Sequence, residues 1–387
     1  MKILVISPSF LPILGGTEVA IYEISKRLVK RGYDVTILTP KYPAIKNSRT
    51  WEKMGSFQIY RFPVSDYMYK FSPLTRYIDI QLRALSEIIK LNRKKKFDVF
   101  HQFHLFALGG AVVLAKKLLG KPLITTLAGW DTYDPITPVP RFIYPYLTWI
   151  MKESDFVTSI SGELASHARL QGFKGDIEVI PHGVDLKQID KYLAHVKDAI
   201  NNRLDHYITL ISVHRLVPRK ATYYLLEAFK IVTDKRKDVR LIIVGNGPEK
   251  KRLVEVAKKL GIEKCVSFVG EKGRSEIWSY YLSSDIFVLH TLYEGLGIVL
   301  LEAMACKKPV ICTIAGATKE VVEHGKTGLL VPPRNPKALA DAIIKLVDDE
   351  ELRIKMGMEG RKKVEREYDL DVIVGKYIKL YRRCVNG

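Results

Sequence analysis

Two carboxylates, Glu294 and Glu302, stand eight positions apart in HTLYEGLGIVLLEAMACKKPVI, residues 290–311, with Gly295 and Gly297 between them. The run DIFVLH before them has the apolar character of a buried strand, and the glycines open the turn that follows. A helix is expected from Gly297 or Ile298. Glu294 then lies in a loop at the carboxyl edge of a strand. Glu302 lies just over one turn into the helix, among Leu300, Leu301, Ala303 and Met304. An ionised carboxylate among such neighbours is costly unless a donor meets it. A helix N-terminus supplies one, and so do the hydroxyls of a bound polyol. For Glu302 alone the plainer account is a first-turn carboxylate favoured by the helix dipole; for the pair in this strand–loop–helix setting, a binding role is favoured.

Cations occupy a comparable position in SVHRLVPRK, residues 212–220, after another apolar strand. There Arg215 offers a planar fork and Lys220 a point charge, a combination that suits a diphosphate better than one carboxylate. An ordinary basic loop explains them equally well, since Arg219 is basic too. Gly15 and Gly16 precede a helix near the N-terminus, where free amides and a partial positive charge favour anions, although a tight turn also uses two glycines. VGNGPEK, 244–250, repeats the strand–turn–helix pattern with Gly245, and a compact turn is the simpler account of it. His101 and His104, at another strand end, are candidate substrate contacts that structural histidines would equally explain. No carboxylate partner accompanies them, which speaks against zinc.

These residues need a scaffold that brings strand ends together. In the first half, KILVISP, DVTILTP, FDVFHQF, PLITTLAG, FVTSIS and IEVIP alternate with amphipathic stretches. From about residue 205 the alternation resumes through HYITLISVHRL, VRLIIVGNG, CVSFVG, DIFVLH and PVICT. Short continuous apolar strands joined by helices indicate parallel sheets covered on both faces. The expected architecture is α/β, with two Rossmann-like doubly wound domains facing a central cleft. Their expected extents are 1–183 and 206–368, with a polar linker at 184–205 and a C-terminal helix at 369–387 that could pack back on the first domain. A length of 387 residues suits two domains of about 150 to 200 residues each.

The bulk numbers narrow the class. Hydrophobic content is 47% and the mean hydropathy is −0.01, as in a soluble globular protein, and no run reaches a membrane span. MKILVISPSF begins directly as a strand without a signal-peptide pattern, so a cytoplasmic protein is expected. Four scattered cysteines lack CxxC spacing, which argues against a disulfide scaffold or structural zinc. The net charge of +20, carried by both halves, favours polyanionic partners such as anionic lipid, phosphorylated substrates or nucleic acid. No nucleic-acid-binding module is recognisable, so nucleic acid is the least favoured of these.

Taken in order, the Gly-Gly loop, DVFH, VTSIS, IEVIPHGVD, the Arg/Lys loop, VGNGPE, DIFVLH, EGLGIVLLEAMA and GKTGLLVPP cover nearly the whole chain. This series resembles the retaining GT-B glycosyltransferases of family 4, whose signature is E-x7-E. The resemblance implies a hexosyltransferase using a nucleoside-diphosphate sugar. It implies that Arg215 and Lys220 bind the donor diphosphate, Glu294 the donor sugar and Glu302 the ribose. It further implies that the amides of Leu296, Gly297 and Ile298 cradle phosphate, and that Gly15 and Gly16 reach the same diphosphate. Gly245 would join the donor site, and Asp131 and His101 would lie on the acceptor side. No metal ion or other cofactor is expected, and the leaving phosphate would assist a front-face transfer. The E-x7-E pair is then no glycosidase acid/base pair.

The chain departs from the family pattern in several places. Ala128, in LAGWD, replaces the usual histidine, although Asp131 remains. His214 and Ala221 replace glycines beside Arg215 and Lys220, and Ala317 replaces the second glycine of AGATKE. The donor half therefore matches better than the acceptor half. The alternative from another class is a non-catalytic sugar-nucleotide or glycan-binding protein of the same fold. A sugar-nucleotide epimerase on this fold is disfavoured by the E-x7-E pattern.

Aromatics interleaved with Lys and Arg across residues 60–96, and again in RFIYPYLTWIMK at 141–152, suit an interfacial surface on anionic lipid. Core aromatics with a solvated basic edge are the competing account. The expectation is a lipid-linked or glycan acceptor, with peripheral contact at the inner face of the cell membrane. The base (UDP, GDP or ADP), the sugar and the linkage are left open by the sequence.

Overall fold

The computed structural model describes residues 1–13, 15–42, 50–64, 73–129, 139–201 and 207–386. Contacts divide the chain into two units, Met1–His182 with Leu370–Gly387, and Gly183–Asp369. Each is built on its own sheet.

The first sheet contains β1 (Lys2–Ile6), β2 (Asp34–Lys41), β3 (Trp51–Met54), β4 (Phe57–Pro63), β5 (Val99–Phe103), β6 (Leu123–Leu127), β7 (Phe156–Ser159) and β8 (Glu178–Val179). Their spatial order is β3-β4-β2-β1-β5-β6-β7-β8. Among the described residues only β3 and β4 pair antiparallel, and every other pair is parallel. Continuous runs such as VFHQF and LITTL are buried along their whole length, as a sheet with helices on both faces requires.

The second sheet contains β9 (Ile208–Val213), β10 (Val239–Val244), β11 (Val266–Gly270), β12 (Ile286–Leu289), β13 (Val310–Thr313) and β14 (Gly328–Val331). The order β11-β10-β9-β12-β13-β14 is fully parallel and is that of a Rossmann sheet. Chain direction across the sheet reverses between β9 and β12. The connections leaving these two strands part in opposite directions and open a crevice at their carboxyl ends, the usual ligand position in such sheets. Arg215 and Lys220 follow β9, and Glu294 follows β12.

The region expected as a linker is instead a helix over Leu186–Asn201, within the second unit. Its apolar residues recur at helical spacing, Leu186 and Ile189 are buried, and it packs on helix Arg274–Leu282. Charge and polarity on its outer face concealed that periodicity. Helix Leu370–Asn386 belongs to the first unit and buries Leu370, Ile373, Val374, Tyr377, Leu380, Tyr381 and Cys384 along one face. Each large apolar side chain so buried contributes roughly 1.5–3 kcal/mol.

His101 explains part of that attachment and requires a correction. It is fully buried, with Nδ1 2.6 Å from the Tyr381 hydroxyl and Nε2 2.7 Å from Thr126 Oγ1. Burial pushes its pKa down to about 3, so the ring is neutral and ties the C-terminal helix to the sheet. Its role is in the core, not at the acceptor.

Candidate active site

The site is built on the second unit's crevice. After β9 the chain passes through the buried ring of His214, which lies 2.8 Å from Thr222 Oγ1 and 3.1 Å from Ser212 Oγ. Burial, with the nearby Lys220 charge, lowers this histidine to about 3 and keeps it neutral. A glycine at this position would leave that volume empty; the imidazole fills it and pins the loop that carries Arg215 and Lys220. Arg215 is exposed, whereas Lys220 is only 9% exposed. A short 3₁₀ turn, Pro218–Lys220, turns the ammonium inward.

Lys220 Nζ contacts Glu294 Oε1, with side-chain exposures of 11% and 13%. Burial and the neighbouring Arg219 and Arg215 cations push the ammonium down to about 7. The Glu294 carboxylate is the anion in contact with it. Two candidates separated by 74 positions in sequence are thus in contact, at the two strands that flank the reversal.

The backbone around Glu294 is fixed from two sides. Leu292 N donates to Arg219 O at 2.9 Å, joining the Glu294 loop to the Lys220 loop. On the other side Thr313 Oγ1 donates to Thr291 O at 2.6 Å, and Ala317 N donates to Glu294 O at 2.9 Å. Gly316 makes this approach possible. Its φ is +62°, and a Cβ there would fall 2.2 Å from the Glu294 carbonyl oxygen. Ala317 has an ordinary φ of −79° and is buried, so the second glycine of the family pattern is not required.

Helix Ile298–Ala305 starts four positions after Glu294, with Gly297 as its left-handed N-cap. The first amides of a helix have no intrahelical acceptor. Among the described residues those of Leu296, Gly297 and Ile298 find none elsewhere. They are available to donate to an anion at this helix start, where Gly297 lies against Glu294. Glu302, further along this helix, accepts a 2.9 Å hydrogen bond from the Tyr281 hydroxyl. Tyr281 is buried, and burial next to Glu302 raises its pKa well above the usual value, so it stays a donor. The sequence indicated the cost of a carboxylate here but not this donor, which arrives from helix Arg274–Leu282.

His290 also escaped assignment. It is buried at the end of β12, stacks on Tyr224 with centroids 5.2 Å apart, and accepts from Arg334 N at 3.2 Å. Its place before the Gly-rich loop was the only signal. Gly245 has a packing reason for being glycine: its φ is +141°, and a Cβ would lie 1.9 Å from the His214 carbonyl oxygen.

Ala221, by contrast, has φ +44° without being glycine, and it N-caps helix Thr222–Lys235. A left-handed alanine costs roughly 1–2 kcal/mol, and glycine is a better N-cap, while glycine's extra unfolded-state freedom offsets part of the gain. Ala221→Gly is expected to stabilise the unit by about 0.5–1 kcal/mol, seen as a rise of about 1–3 °C in Tm. A fall in Tm would contradict this account of the turn.

In the first unit, Gly15 N-caps helix Gly16–Lys30. The Glu18 carboxylate folds back over it and accepts from Ser9 Oγ at 2.5 Å. Thr17 Oγ1 donates to Ala128 O at 3.3 Å, linking this helix start to the end of β6. Ala128 is buried where the family pattern has an imidazole, and His104 lies beside the following Gly129. Asp131 and residues 65–72 of the aromatic-basic stretch lie outside the described residues. Among the described residues no group of three or more His, Cys, Asp or Glu could hold a metal ion, and no helix is long and apolar enough to cross a membrane.

Comparison with known proteins matches two family models in succession. Residues 14–188 match "Glycosyltransferase Family 4", and residues 196–363 match "Glycosyl transferases group 1". The chain is 28% identical over 380 residues to N-acetyl-alpha-D-glucosaminyl L-malate synthase of Bacillus anthracis, covering 96% of this chain and 94% of that one. It is 27% identical to a GDP-mannose-dependent alpha-(1-6)-phosphatidylinositol monomannoside mannosyltransferase of Mycobacterium tuberculosis, over 98% of both chains. Among solved structures, sucrose-phosphate synthase from Thermosynechococcus elongatus superposes with a TM-score of 0.84 at 22% identity, over 99% of this chain and 98% of that one.

Proposed function

Starting from a chain that is a glycosyltransferase of the GT-B fold, we propose that it moves a hexosyl group from a nucleoside-diphosphate sugar to a hydroxyl acceptor with retention of configuration. The observation that carries this reading is the Lys220–Glu294 contact beside the unpaired amides of helix Ile298–Ala305. The diphosphate would lie against Lys220, the Arg215 fork and those amides. Glu302, oriented by Tyr281, would accept from the ribose hydroxyls, and Glu294 from the sugar.

In the transfer, the bond from the anomeric carbon to the phosphate oxygen breaks and the electron pair goes to the diphosphate. Fixed cations and amides stabilise that developing charge, and a water-poor site strengthens the effect. They would perform the task of a metal ion, so transfer should persist in a chelator. On the face from which phosphate departs, its oxygen can take the acceptor's proton as the new glycosidic bond forms. Retention then needs no protein nucleophile.

The acceptor reading is a lipid-linked or glycan hydroxyl. The N-acetyl-alpha-D-glucosaminyl L-malate synthase and the phosphatidylinositol monomannoside mannosyltransferase show by their names how varied the relatives' acceptors are. Helix Pro73–Lys95 exposes Ile78 and Leu82 and ends in Arg93, Lys94 and Lys95, and Phe142 is 82% exposed. Exposed apolar side chains on a helix that ends in three cations support contact with an anionic membrane surface. Salt-sensitive flotation with anionic vesicles, and none with neutral ones, is the expected result; equal recovery with both would remove the membrane reading. The transferase reading is tested by incubating the protein with a panel of UDP-, GDP- and ADP-sugars and hydroxyl acceptors. Release of nucleoside diphosphate with an axial product from an axial donor supports it; an inverted product overturns retention.

A further inference from the structure

We propose that Glu294 makes Lys220 selective for a sugar-bearing diphosphate over the bare nucleoside diphosphate, and thereby favours release of the spent donor. This rests on the donor site described under Proposed function. In the free protein the ammonium and the carboxylate already satisfy one another, and both side chains are close to nine-tenths buried. A diphosphate that takes the ammonium leaves Glu294 without its cation in a poorly hydrated position. It also brings further negative charge towards that carboxylate. Breaking a buried pair by removing one partner is strongly unfavourable for the ion left behind.

A sugar on the diphosphate changes this balance, because its hydroxyls can donate to Glu294 while the phosphates hold Lys220. Both members of the pair then exchange one partner for another. After transfer the sugar has left, Glu294 again lacks donors, and its nearest cation is Lys220. Re-forming the pair competes with the nucleoside diphosphate for the same ammonium. The backbone supports this reciprocity. Leu292 N on Arg219 O ties the Glu294 loop to the Lys220 loop, and Ala317 N on Glu294 O fixes the Glu294 backbone from the other side, so the two side chains start from backbones held in register. The groups facing Lys220 are Glu294, Arg215 and Arg219, with the neutral rings of His214 and His290 behind them.

The test is titration calorimetry of the full chain at about pH 6, where the ammonium stays protonated. Probes are UDP, GDP and ADP, each with its glucose or mannose conjugate. Wild type should bind a sugar conjugate at least tenfold tighter than the corresponding bare diphosphate. Glu294→Gln should bind the bare diphosphate at least tenfold tighter than wild type does and lose that preference. Glu294→Asp, which keeps the charge on a shorter arm, should fall between them and decides the matter if the Gln variant does not fold. Bare-diphosphate affinity that is unchanged or weaker in variants still able to bind a conjugate overturns the selectivity mechanism and leaves the donor site standing. Failure of wild type to bind any probe overturns the donor site and the mechanism together.

Discussion

Replacing Lys220 with alanine should lower kcat/KM for transfer by about 1,000-fold, the largest effect expected of any single side chain in the site. Removing one preorganised donor from a developing oxyanion typically costs 100- to 1,000-fold, and this donor carries a full charge. The change also leaves Glu294 as a buried carboxylate without its contact cation, at a stability cost of about 3 kcal/mol. Steady-state release of nucleoside diphosphate, with Tm alongside, checks both consequences. Lys230→Ala, on an exposed helix face where Lys230 pairs with Asp234, should change neither by much. Near-normal turnover in Lys220→Ala would remove this lysine from the chemistry.

The second large effect comes from a residue that would touch no ligand in this account. Gly316→Ala places a Cβ 2.2 Å from the Glu294 carbonyl oxygen and 2.9 Å from the Tyr293 ring, on a backbone with φ +62°. The Ala317–Glu294 hydrogen bond must lengthen or break, and the Glu294 loop must move by on the order of 1 Å. Displacement of that size at a reacting centre costs about 100-fold in rate. The strain itself should destabilise the unit by about 2–3 kcal/mol. Gly325→Ala is the matched control, since its φ is +78° and a Cβ there meets nothing within 4 Å. The control should lose roughly 1 kcal/mol of stability and keep its kcat. If Gly316→Ala keeps wild-type kcat/KM, the loop is not positioned as described.

Much of this was legible in the sequence, for identifiable reasons. Apolar runs bounded by turn residues announced parallel strands, and their ends announced ligand loops, because a doubly wound sheet gathers those ends along one edge. Glu294 and Lys220 could each be placed at such an edge. Their contact could not, since it depends on β9 and β12 being neighbours across the reversal, and strand order leaves no local trace. Tyr281 was hidden for the same reason: nothing in EIWSYYLSS marks one tyrosine as the donor to a carboxylate 21 positions later. His101 belongs to the core and not the acceptor side, and the sequence hides this because a strand-end histidine looks alike whether it faces a ligand or a helix. Its partner Tyr381 lies 280 positions away. The helix at Leu186–Asn201 resembles a linker in sequence because charged and polar residues dominate its composition. The departures at His214 and Ala317 proved compatible with the loops they occupy, whereas Ala221 carries backbone strain.

The central claim is that one nucleoside diphosphate spans Lys220, the helix start at Gly297–Ile298 and Glu302. The most direct measurement is a crystal structure of the full chain with bound UDP or GDP, whichever binds. The diphosphate is predicted within hydrogen-bond distance of Lys220 Nζ, the Arg215 guanidinium and the amides of Gly297 and Ile298, with the ribose hydroxyls on Glu302. A nucleotide bound away from these groups, or with its ribose at Glu294 and its phosphates at Glu302, would contradict the account.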